Sequence, residues 1–265
     1  MTRIPTAADA AGGAADEAGG MTSSLTSPAT SAILSATGLV KSYGPTRALD
    51  GVSIEVRAGE AVAIMGASGS GKTTLLHVLA GILSADQGAV TLQGRSGPVR
   101  IDGLGEGERS RLRREEFGFV FQQGLLIPEL TAVENVALPL LLTGHARRDA
   151  EAHAAQWLAA LGLAGLEQRR IGQLSGGQAQ RVAIARAQAT GARILFADEP
   201  TGALDSATSA DVMTALLHST LSRGHALVVV THDPQVAARC TRTIRMQDGR
   251  ITGDAPATVT SEVAR

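Results

Sequence analysis

The sequence predicts an α/β fold of the P-loop type, and three stretches carry that expectation. The first is Gly66-Ala67-Ser68-Gly69-Ser70-Gly71-Lys72-Thr73-Thr74, a Gly-rich turn closed by Lys and Thr. An apolar run over 62–65 enters it, and 75–79 leaves it at helical spacing, which is the strand–loop–helix setting this pattern needs. The second is the apolar run 194–197, which ends in Asp198 and Glu199. The third is 226–230, which delivers Thr231-His232-Asp233-Pro234. In open α/β sheets ligands sit beyond the carboxyl ends of the strands, so all three stretches are expected at one edge.

Composition narrows the function classes. The chain has 265 residues, enough for one large or two small domains. Lys plus Arg is 24 against 25 for Asp plus Glu, a net charge of −1, which leaves no electrostatic footprint for nucleic acid. Aromatics are 2%, too few for single-strand stacking platforms. Cys240 is the sole cysteine, so no internal disulfide forms, and its expected role is a small buried hydrophobe. No apolar run approaches the roughly 20 residues that cross a bilayer. Residues 1–32, rich in Ala, Gly, Ser and Thr, lack the basic start and apolar centre of a secretory signal and read as a disordered leader. A cytoplasmic protein is expected.

Taken in order, the ordered chain is expected over 33–253. From 34 to 64 the pattern is that of short strands broken by turns at Tyr43-Gly44-Pro45 and Arg57-Ala58-Gly59-Glu60. Tyr43, the only tyrosine, is on its residues alone either a strand-packing aromatic or a platform for a base. The Gly-rich turn follows; backbone N–H groups at its helix N-terminus converge on one point and favour an anion there. Lys72 would reach the β- and γ-phosphates of a nucleotide, and the Thr73 hydroxyl would ligand Mg²⁺. Further strands are expected at 89–92 and 99–101, then a solvated helix over 109–116, where Arg and Glu mix.

Phe117-Gly118-Phe119-Val120-Phe121 is a short strand ending at Gln122, and a mostly helical stretch follows. Residues 151–161 form an Ala- and Leu-rich helix stopped by Gly162, with Trp157 as a packing anchor. His145 and His153 read as surface residues without a partner. Leu174-Ser175-Gly176-Gly177-Gln178 then opens another helix, as a second anion-binding mouth or as a cap with a tight turn; two consecutive glycines exceed what a cap requires. Asp198 would hold the Mg²⁺ shell and Glu199 would polarise the attacking water, with ion pairing as the alternative. Adjacent buried carboxylates are costly unless a cation compensates them. His232, ending a buried strand, is expected at the γ-phosphate. Residues 226–230 read as the final strand and 254–265 as a tail.

Together these residues resemble the ATP-binding subunit of ATP-binding-cassette (ABC) transporters, over roughly 34–253, with the motifs in the family's order. Leu174 through Gln178 match its signature, the most specific of them. The resemblance implies a RecA-like core with an antiparallel β subdomain and a helical subdomain inserted at about 123–190. It makes Tyr43 the adenine-stacking aromatic, Gly66 to Thr74 the nucleotide loop, and Gln122 the glutamine that senses Mg²⁺ and water. Asp198 is then the metal-site acid alongside Thr73, Glu199 the catalytic base and His232 the switch histidine. Asp205 falls in a loop that crosses a dimer interface.

The resemblance further implies two copies facing head to tail, each ATP lying between one P-loop and the partner's signature. Separate transmembrane permease subunits would be moved by closure and reopening, with the ATPase peripheral on the inner face of the cell membrane. The segment 122–136 is similar to the surface that docks them. Within the family, 117–122 with 126–136, and 197–205, look like the lipoprotein-release, macrolide-efflux and antimicrobial-peptide-resistance group. Export or extraction is the implied task. Mechanotransmission to a cell-wall hydrolase uses the same chemistry, and a soluble non-transport ABC ATPase would need a second cassette or a coiled coil that these residues lack. Ala179 and Gln123-Gly124-Leu125 depart from the family pattern near its docking regions.

Overall fold

The computed structural model describes residues 32–256, so the expected leader up to 31, and 257–265 of the expected tail, lie outside the described residues. The chain opens with two 12-residue antiparallel strands, β1 (Ala32–Tyr43) and β2 (Thr46–Arg57), turning at Gly44-Pro45. These are longer than the short strands expected, because register shifts absorb the interior irregularities without ending the ladder. In β2, buried Val52, Ile54 and Val56 alternate with exposed Gly51, Ser53 and Glu55, so one face meets the core and the other solvent. β4 (Gln87–Gly94) and β5 (Gly97–Arg100) complete this sheet in the order β2-β1-β4-β5.

The second sheet contains β3 (Ala61–Met65), β6 (Phe117–Phe121), β7 (Ile194–Asp198), β8 (Ala226–Thr231), β9 (Arg242–Gln247) and β10 (Arg250–Pro256). Its order is β10-β9-β3-β8-β7-β6; five strands run parallel and β10 closes the edge antiparallel. β3, β7 and β8 are covered on both faces, which is why they read as unbroken apolar runs. Two expectations are corrected here. β8 is not the final strand, because β9 and β10 follow it. The expected tail boundary at 254 also falls inside β10, where Arg242 clamps Asp254 with bonds of 2.6 and 2.5 Å. The polar and charged residues spread through β9 and β10 hid them as strands.

The two faces of β3 define two cores. Val62 and Ile64 pack with the antiparallel sheet and with Leu75 and Leu79 of α1 (Lys72–Leu79). Ala61 and Ala63 pack towards α3 (Ala132–Leu142), α4 (Arg147–Ala160), α5 (Gly176–Ala189) and α6 (Ser206–Leu221). Here α2 (Glu106–Glu116) precedes β6, while α3 to α5 lie in sequence between β6 and β7. Trp157 is buried in that helical cluster with the Arg223 guanidinium 4.1 Å from its ring centre. Both histidines expected to be unpartnered have contacts. His153 Nε2 accepts from Trp157 Nε1 at 3.1 Å, one helical turn away, and His145 Nδ1 lies 3.0 Å from the Leu140 carbonyl. Cys240 is buried, as expected.

A candidate nucleotide-binding cleft

The register of the parallel sheet decides which side chains meet. Met65 pairs with Thr231 and Asp198 with Val230, so the strand ends leading to 66, 199 and 232 are level. A cleft of about 630 Å³ opens there, lined by Tyr43, Ala48, Ser68, Gly69, Gly71, Lys72, Thr73, Thr74, Asp198, Glu199, Val230 and His232. At its base α1 begins with Gly71 as N-cap at φ +99°, where a Cβ would stand 2.2 Å from the Ala48 carbonyl. Only glycine fits, and this lets the helix N-terminus face the cleft. A larger cleft of about 860 Å³, between the β4–β5 turn and α3–α4, lacks these groups.

Lys72 lies back across its loop, with Nζ donating to the carbonyls of Gly66 at 2.9 Å and Ala67 at 2.8 Å. Burial pushes the Asp198 carboxyl up from its ordinary value, with the nearby Thr73 hydroxyl working in the opposite direction. Glu199 has a positive φ of 47°, held by its N–H donating to the Val230 carbonyl at 2.9 Å. His232 Nδ1 is 2.8 Å from Glu199 Oε1, and this bond holds the imidazole above its ordinary pKa. Tyr43 is half exposed at the rim, with Lys41 Nζ 5.8 Å from its ring centre.

Several expected residues lie elsewhere. Ser70 is buried with its N–H spent on the Ala67 carbonyl at 3.2 Å, and Gly66 and Ala67 supply the carbonyls that Lys72 uses rather than lining the cleft. Gln122 is exposed, and its amide lies against Gly202 in the turn after Glu199. Its loop is fastened to α5 at three carbonyls. Gln180 donates to that of Phe121 at 2.9 Å, and Arg186 to those of Gly124 and Leu125, both at 2.7 Å. Leu174 through Gln178 do not line the cleft of their own chain. Ser175 and Gln178 form a reciprocal cap, the hydroxyl accepting from Gln178 N at 3.3 Å and the amide oxygen from Ser175 N at 2.9 Å. The paired glycines have a packing reason that the sequence reading did not weigh. A Cβ on Gly177 would meet Thr208 Cγ2 at 2.4 Å, and one on Gly176 would meet Leu204 Cδ2 at 3.1 Å.

Asp205 caps α6, accepting from Thr208 N at 3.0 Å and Thr208 Oγ1 at 2.7 Å, bonds that hold its carboxyl below the usual range. Sequence reasoning missed Thr231. It is buried, and its hydroxyl touches Glu199; a lone hydroxyl closing the apolar strand β8 was the available signal.

The family model for ABC transporters matches residues 49–202, more than half of the chain. The chain belongs to the ABC transporter family. It is an ABC ATPase, and its α/β fold with one antiparallel and one mostly parallel sheet is that of the family's cassettes. Among curated relatives, the macrolide export ATP-binding/permease protein MacB of Burkholderia pseudomallei is 48% identical over 206 residues, covering 78% of this chain and 31% of that protein. MacB of Escherichia coli K12 is 45% identical over 209 residues, covering 79% and 32%. The cassette thus spans about a third of the curated relatives it matches. Among solved structures, the dimeric post-hydrolysis state of the ATP-binding cassette MJ0796 bound to ADP and Pi aligns with a TM-score of 0.76 at 37% identity, over 85% of this chain and 99% of that one. CbiO1 of Clostridium perfringens aligns with a TM-score of 0.76 at 26% identity, over 85% and 89%. Among the described residues no helix is long and apolar enough to cross a membrane.

Proposed function

We propose that this ABC ATPase pairs head to tail with a second copy or a paralogue around two ATP and drives a transmembrane permease in export or extraction. The observation that carries the reading is the split between two anion-facing helix ends. The start of α1 opens into the cleft, whereas the start of α5 lies outside it, and a second chain supplies it with a use. The relatives named for macrolide export, and the dimeric cassette bound to ADP and Pi, support the same reading.

Tyr43 would stack the adenine at the rim, and the N–H groups of 68–74 with Lys72 would hold the phosphates. Thr73 and Asp198 form a fitting donor set for Mg²⁺, and Gln122 would join them from its loop. The burial that raises Asp198 is a cost that a divalent cation removes. When bound, the metal would neutralise charge on the phosphate oxygens. Glu199 accepts a proton from the attacking water, while His232, released from Glu199 Oε1, turns to the γ-phosphate. In the partner, Ser175 and Gly177 close the site from the far side, and Asp205 lies at the seam. The protein would act at the inner face of the cell membrane, its 122–136 surface against the permease.

Three variants test this reading. Glu199→Gln should keep ATP binding, lose about a hundredfold or more in hydrolysis, and run as a dimer with ATP in size-exclusion chromatography. Ser175→Arg should bind ATP as a monomer and fail to pair. Lys72→Ala should lose nucleotide affinity. A Glu199→Gln protein that stays monomeric in ATP, or a Ser175→Arg monomer that cannot bind it, would refute the arrangement.

A further inference from the structure

Glu199 has two carboxylate oxygens with two different partners. Oε1 meets His232 Nδ1 at 2.8 Å, and Oε2 meets Thr231 Oγ1 at 3.4 Å. The partners differ in freedom. The His232 side chain is 72% exposed, whereas Thr231 is 1% exposed at the end of β8. The Thr231 hydroxyl also accepts from Asp233 N–H at 3.0 Å. With that N–H directed at the oxygen, its own proton is free to point at Glu199 Oε2 across the 3.4 Å separation. The backbone at Glu199 is strained as well as pinned, with φ +47° and a 2.9 Å bond to the Val230 carbonyl, so its side chain leaves the chain beside β8.

From this geometry we infer that Thr231 is a positioning residue for Glu199, its hydroxyl fixing the carboxylate while His232 comes and goes. The inference rests on Glu199 acting as the base. If His232 turns to the γ-phosphate, Oε1 loses its only side-chain partner among the described residues, and Thr231 alone keeps the carboxylate in line with the water. Thr231 does not line the cleft and acts only through Glu199. Displacing a catalytic group by about 1 Å costs up to about a hundredfold in rate.

The test is steady-state ATP hydrolysis and nucleotide affinity in Thr231→Val, which keeps the β-branched shape, and Thr231→Ser, which keeps the hydroxyl. The Val variant should lose about ten- to a hundredfold in kcat with nucleotide affinity and KM within about twofold of wild type; the Ser variant should recover most of it. In a Glu199→Gln background, Thr231→Val should cost nothing further. Normal kcat in the Val variant, a Ser variant as slow as Val, or an added loss in the Glu199→Gln background would each overturn the inference. A melting temperature matching wild type in the Ser variant keeps the comparison sound even if Val folds poorly. Failure of the base assignment itself would appear separately, as a Glu199→Gln protein with undiminished turnover.

Discussion

Cys240 shows how burial governs a single group. Among the apolar residues of the helix-facing core, its thiol is pushed up to about 12 by desolvation. The thiolate is therefore disfavoured in the folded chain, and Cys240 should resist a disulfide reagent such as Ellman's at pH 8 until denaturant is added. The linkage has a definite sign. The folded value lies above the ordinary one, so this stabilisation is complete below about pH 9 and is lost as pH rises towards 12. Chemical denaturation between pH 8 and 11 should show the loss, and Cys240→Ala should flatten that limb. His232 is the opposite case, an exposed imidazole raised by its carboxylate neighbour, so its charge reports the Glu199 contact rather than burial.

The contact between α5 and α6 makes Gly177 an element-scale constraint. Gly177→Ala would drive its Cβ to 2.4 Å from Thr208 Cγ2, and overpacking of this kind costs about 1–3 kcal/mol. Thr208→Ser removes that methyl while keeping the hydroxyl bonded to Asp205, so the double variant should regain most of the lost melting temperature. The loop after β6 hangs on Asn135 of α3. Fully buried, it accepts from Ile127 N at 2.8 Å and donates to the carbonyls of Ile127 and Thr131, both at 3.0 Å. Asn135→Ala strands those groups and should cost about 2–4 kcal/mol, with faster protease cleavage within 123–130. These elements also mark where the sequence was legible. Strands covered on both faces announced themselves as apolar runs, and α4 and α5 as runs of helix formers. β9 and β10 did not, since the ion pair between Arg242 of β9 and Asp254 of β10 sets charges within the strands themselves. Thr231 and Asn135 escaped notice because their contacts to Glu199 and to Ile127 join positions that no local pattern connects.

For the whole molecule, the P-loop, the two acids and the histidine came from the sequence as a set because each ends a buried strand, and the sheet brings such ends level. The position of Leu174 through Gln178 outside that cleft is a property of the tertiary arrangement, and it is the feature on which the proposed pairing rests. Affinity purification of the Glu199→Gln variant in ATP from detergent-solubilised native membranes should recover a permease with few spans and large external domains. A many-span permease would reassign the transporter group while leaving the ATPase unchanged.

The fastening of the Gln122 loop to α5 has a consequence for timing. α5 is a rod of 14 residues, about 21 Å long, bearing Ser175 at its first turn and Gln180 and Arg186 along its length. A rod does not bend at low cost, so a push on its tip must travel to the far grip. In the proposed head-to-tail pairing the tip would touch one nucleotide while the grip would hold the loop proposed to serve the other. Each chamber would thus hear whether its neighbour is filled, and two hydrolysis events would keep step without any messenger passing through the membrane.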